Sequence, residues 1–160
     1  MRRECSEYAA PRVPQGVFVE GLVTTALAQI KQVINDAIAV SSDPLFTPVN
    51  GLTRHEFVSL TVTRFVIRQV RTGGAWDYKN QPGWNVGDAF GNWFFGIVSA
   101  QAGFEPSFAT FGAGMAQVAS DIRDGIMPST FTTFGDQPRD TVNINAGMRF
   151  FYAGCTKLGL

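Results

Sequence analysis

The stretch 17–40 constrains the fold more than any other part of the chain. Its apolar residues fall at Val19, Leu22, Val23, Ala26, Leu27, Ile30, Val33, Ile34, Ala37 and Ile38. That is the i, i+3, i+4, i+7 spacing of a helix with one buried stripe. Lys31, Gln32, Asn35 and Asp36 take the other face. Ser41-Ser42-Asp43-Pro44 ends the helix, because proline and the residue before it both disfavour that conformation.

The later pattern repeats the theme. Thr53 and Glu56 form a capping-box pair, opening a helix to about residue 71 that buries Phe57, Leu60, Phe65 and Ile67. Its β-branched residues Val62, Thr63, Val66 and Val70 leave a strand as the alternative. Asp88 caps a third helix to about residue 102, with Phe90, Trp93, Phe94, Ile97 and Val98, and Gly103 ends it. A fourth is expected from residue 106 or 107, through Phe108, Phe111, Met115, Val118 and Ile122, to Gly125. Asp136 caps a fifth with Pro138 in its first turn, and Val142, Ile144, Met148 and Phe151 form its apolar side. The expected fold is mainly α: about five helices around one core, the first packed on the third and fourth, with long irregular loops. Residues 1–16 lack a periodic pattern and read as a linker or N-terminal arm, leaving 17–160 as a single domain.

Composition narrows the classes. The chain has 160 residues, a length that fits one domain, and 45% are hydrophobic, which excludes disorder over most of it. Thirteen basic residues balance 13 acidic ones, which argues against polyanion binding by bulk charge. No apolar run is long enough to span a membrane, and no apolar stretch follows residues 1–7 as a signal peptide would require. Cys5 and Cys155 stand near opposite ends and read either as unrelated thiols or as a disulfide tying the termini together. No cofactor motif is present, and the acidic residues leave room for a divalent metal of unknown site.

Three clusters carry the candidate chemistry. Trp76-Asp77-Tyr78-Lys79 follows the glycine pair Gly73-Gly74. Phe90-Gly91-Asn92-Trp93 sets an amide among aromatics, and a buried amide needs partners. Gly135-Asp136-Gln137-Pro138-Arg139-Asp140 spaces two carboxylates four apart, on one face if helical. The lone His55 reads as a solvated first-turn residue, and no nucleophile-elbow pattern supports a Ser–His–Asp triad. Arg64, Arg68 and Arg71 form a basic stripe, the one feature that favours a phosphate-bearing ligand.

These clusters, in this order, resemble the polymorphic toxin type 44 domain, the C-terminal toxic module of bacterial Rhs-type and related secreted proteins. The resemblance runs over roughly residues 65–155 and also takes in Gly96, Gly103-Phe104, Ala113-Gly114 with Gln117, and Ile144 with Gly147. Two positions depart from the family pattern: Gln137 replaces an Asp, and Trp93-Phe94-Phe95 replaces Phe-Asn-Tyr. The resemblance implies a secreted or delivered toxin, a parent delivery protein and a cognate immunity protein.

The favoured expectation is a peptidoglycan hydrolase acting in the periplasm, since glycan cleavage needs carboxylates and aromatic rings stack on sugars. Its expected catalytic residues are Asp77, Lys79, Asn92, Asp136 and Asp140 around one pocket, with Asp77 and Asp140 as the acidic pair. Substrate binding falls to Trp76, Tyr78, Trp93, Gln117 and Arg139. The alternatives are a nuclease working in the target cytoplasm through the arginine stripe, and a non-enzymatic pore-forming or binding module. No stable membrane insertion is expected.

Overall fold

The apolar stripe of residues 17–40 does form one helix. In the computed structural model, which describes residues 3–47, 51–84, 87–107, 109 and 138–156, it runs Val19–Ser42 and is the second of the five helices whose bounds lie among the described residues. The others are α1 Arg3–Glu7, α3 Arg54–Val70, α4 Gly87–Gln101 and α5 Pro138–Tyr152. No strand occurs among the described residues. Residues 106, 107 and 109 are helical, as expected of the fourth sequence helix; its remainder, with Gln117, and the Asp136 cap lie outside the described residues.

Helix α2 (Val19–Ser42) buries Val23, Ala26, Leu27, Ile30 and Ala37. It stops where Asp43 turns extended, one residue before Pro44. Helix α3 opens with the expected capping box: the Glu56 N–H donates to Thr53 Oγ1 at 3.2 Å, and the Thr53 N–H donates to Glu56 Oε2 at 2.7 Å. Those bonds from Thr53, backbone first, hold the Glu56 carboxyl below its usual range.

The buried face of α3 differs from the expected one. Leu60 and Ile67 are 37% and 54% exposed, while Val62 and Val66 are buried. The β-branched residues form an i, i+4 ridge, Val58, Val62, Val66 and Val70, that joins the core shared with α2. These valines therefore pack a helix rather than build a strand. Helix α2 makes its largest contact with α3 and a smaller one with α4.

Helix α4 is apolar nearly all round and lies at the centre, with Phe90, Trp93, Phe94, Ile97 and Val98 all buried. Helix α5 lies against it with backbones almost touching. A Cβ on Gly96 would strike the Ile144 carbonyl, and one on Gly147 would strike the Trp93 carbonyl. Gly147→Ala should therefore destabilise the protein by ~1–3 kcal/mol through overpacking, despite a gain of ~1 kcal/mol in helix propensity. A lowered urea midpoint would show it; a raised one would mean that α4 and α5 do not meet at these glycines.

The N-terminal segment docks on the same pair. Cys5 and Cys155 form a disulfide, so the thiols are partners. The Trp93 indole N–H donates to the Tyr8 carbonyl at 2.9 Å, and the Arg149 guanidinium sits 5.8 Å from the Tyr8 ring centre. Ala10 and Val13 pack against the core.

Candidate functional site

In the first cluster three successive residues, Trp76, Asp77 and Tyr78, are buried. Trp76 and Tyr78 turn inward, and Lys79 is exposed. The Trp76 ring lies 5.6 Å from Phe65 and 5.8 Å from Phe94, both edge-on. The Tyr78 ring lies 4.9 Å from Phe94 and 5.1 Å from Phe90. Burial pushes the Tyr78 phenol up to about 12, so its hydroxyl stays protonated.

Asp77 holds this loop. It is 7% exposed, and its carboxylate accepts the Gly73 N–H at 2.8 Å and the Asn80 amide at 2.9 and 3.1 Å. Gly73 adopts a positive φ of 78°, and a Cβ on Gly74 would strike the Gln69 carbonyl at the end of α3. The glycine pair and the aspartate thus form one turn. Asn80 went unnoticed in the sequence; its place three residues after Asp77 was the available signal.

The second and third clusters do meet. The Asn92 amide donates to Asp140 Oδ1 at 2.7 Å, joining the first half of α4 to the first turn of α5. Both residues are half-buried, and Arg139 is exposed beside them. Lys79 pairs with Asp88 at 3.3 Å rather than with its neighbour Asp77. Asp88 and Asn92 are four apart on α4, so the two polar pairs share one side of that helix. Asp88 read as a cap in the sequence, and its spacing to Asn92 was the overlooked signal.

The structure thus brings Asn92 to Asp140 and sets Lys79 on the same side of α4, while Asp77 turns its carboxylate to its own loop. Trp93 departs from its expected role. It is 1% exposed, its N–H goes to Tyr8 and its ring meets Phe150 at 5.1 Å, so it has no face for a sugar. His55 is exposed in the first turn of α3, and Arg64, Arg68 and Arg71 are exposed along that helix and just past it. Among the described residues no three His, Cys, Asp or Glu side chains gather as a metal site, and no helix is long and apolar enough to cross a membrane.

A family model described as bacterial toxin 44 matches residues 54–153, more than half of the chain. No curated protein and no solved structure matches it. The matched span takes in the Gly73-to-Asn80 turn, the Asn92–Asp140 pair and the Gly96–Gly147 crossing, the features that give α3, α4 and α5 their arrangement. The chain belongs to the bacterial toxin 44 family and is a bacterial toxin domain.

Proposed function

We propose that this toxin domain hydrolyses glycosidic bonds of peptidoglycan in the periplasm of a target bacterium, delivered there by a parent protein and neutralised at home by an immunity protein. The observation that carries the reading is the Cys5–Cys155 disulfide. Such a bond persists in the periplasm and is reduced in the cytosol. Peptidoglycan is the large polymer that a periplasmic hydrolase meets. A net charge of zero suits a glycan, which is held by hydrogen bonds and apolar contact rather than by bulk attraction.

In this reading Asp140 gives a proton to the glycosidic oxygen as the carbon–oxygen bond breaks, and a water molecule adds to the anomeric carbon, its released proton restoring the acid form of Asp140 through solvent. Asn92 fixes the direction of that carboxyl group through its bond to Oδ1. Lys79, Asp88 and Arg139 surround the sugar chain with polar contacts. Asp77 acts through the loop that carries Trp76 and Tyr78.

A nuclease is the second reading. One observation favours it: Arg64, Arg68 and Arg71 all stand exposed. Expression with and without an export signal separates the two. The exported form should lyse cells, and the purified protein should release muropeptides from isolated sacculi. Killing by the unexported form, with nucleic acid degraded and sacculi untouched, would overturn the glycan reading.

A further inference from the structure

A cleft of about 520 Å³ runs between α2 and α3, within the ~300–1,000 Å³ range of small-molecule sites. Thr25, Gln29 and Gln32 of α2 line it, with Gln69 of α3 and the loop residues Trp76 and Tyr78. Leu22, Val33, Phe65 and Ala75 add an apolar wall. No ionisable acid or base other than the Tyr78 phenol lines the cleft. Its wall along α2 lies outside residues 54–153, so the family match does not describe it.

The two aromatic residues are the unusual feature. Trp76 is 7% exposed and Tyr78 is 5% exposed. Side chains so deeply set normally spend their polar tips on the protein. Trp93 does so, giving its N–H to Tyr8. Yet neither the Trp76 indole N–H nor the Tyr78 hydroxyl has a hydrogen-bond partner among the described residues. Neither atom is sealed from solvent. Both residues line the cleft, and each keeps an unspent donor. Thr25 and Gln29 are exposed at the rim and Gln69 is half-buried, their polar groups without hydrogen-bond partners among the described residues, whereas Gln32 donates to Asp36 at 2.7 Å.

A phosphate or carboxylate ligand would find no cation here. A purely apolar ligand would leave the amides and the phenol unmatched. A hydroxyl-rich neutral molecule meets both demands, since each sugar hydroxyl donates and accepts as an amide does. We propose that the cleft between α2 and α3 is a subsite for a neutral saccharide, with Tyr78, Trp76, Gln69 and Gln29 hydrogen-bonding one or two sugar rings. The kind of sugar, an N-acetylated pyranose, rests on the peptidoglycan reading. The subsite lies across α4 from the Asn92–Asp140 pair. Tyr78 packs on Phe90 and Phe94, and each of these is two residues, more than half a helical turn, from Asn92. A long glycan strand could thus be gripped at a distance from the bond it loses.

The test uses the whole chain carrying Asp140→Asn, so that the probe survives. Tri-N-acetylglucosamine is titrated while tryptophan fluorescence and backbone amide shifts are read. Saturable, salt-insensitive binding is expected, with shifts on α2, α3 and the Trp76–Tyr78 loop. Tyr78→Phe and Gln69→Leu should each weaken it about tenfold, with unchanged circular dichroism. No binding, or equal binding in both variants, would overturn the subsite, as would a short RNA that binds in the same cleft with the same sensitivity. Failure of the peptidoglycan reading looks different: the trisaccharide binds in the cleft, but the native protein releases nothing from sacculi.

Discussion

Asp140→Asn should lower muropeptide release by roughly 10²–10⁴-fold, the usual contribution of a positioned acid or base. An asparagine keeps an oxygen where Asn92 donates at 2.7 Å, so the bridge between α4 and α5 survives. What disappears is the transferable proton. Asp77→Asn is the matched control. Two donors, the Gly73 N–H and the Asn80 amide, converge on the nearly buried Asp77 carboxylate. An amide there would point its own NH₂ group at one of them, at a cost of about 1–3 kcal/mol. That variant should melt earlier and lose activity only as far as the loop loosens. Sacculus digestion beside thermal unfolding separates the two effects. Native release rates from Asp140→Asn would remove Asp140 from the chemistry.

The helices were legible wherever the period was strong. The stripe from Val19 to Ala37 is a helix because nine apolar positions agree on one face, while the tenth expected position, Ile38, is 48% exposed. The face of α3 was harder, since Leu60 and Ile67 are as apolar as the valines that it buries. Periodicity alone could not choose between two stripes on one short helix, and packing on α2 chose the valine ridge. The α4–α5 crossing rests on Gly96 and Gly147, where the packing element is a missing side chain, which hydropathy does not register. Residues 3–13 lack a period because they are fixed by a disulfide, one indole bond and scattered contacts. At the site, the clusters were visible, but not their pairing. Asn92 meets Asp140 across 48 residues, and only the helix crossing brings them together. The burial of Trp93 was open to the opposite reading, because an aromatic among aromatics fits a sugar platform and a core equally well. Asp136, expected from its spacing to Asp140, and Gln117, expected from the family pattern, lie outside the described residues.

Reduction of the disulfide should have the largest effect on stability. The bond joins residues 150 apart in sequence, so it closes almost the entire chain into one loop. On the chain-entropy account a loop of that size is worth about 4–5 kcal/mol. A domain of this kind has only ~5–15 kcal/mol in total, so the reduced form would be left with little. A loss of that size corresponds to a melting temperature lower by about 10–20 °C. There is a local consequence as well. Cys5 anchors the segment whose Tyr8 carbonyl takes the Trp93 indole N–H, and Trp93 lies in the middle of α4. Opening the bond frees that segment and leaves a buried donor unmatched beneath it. Thermal unfolding with and without reductant measures the effect. The double variant Cys5→Ser with Cys155→Ser should melt at the reduced value and ignore reductant. A shift of only a degree or two would show that the bond adds little, and the case for an oxidising destination would fall with it. A large shift ties stability to compartment: the domain would be weakly folded in the reducing cytosol and would tighten once both cysteines reach the periplasm, where its proposed substrate lies.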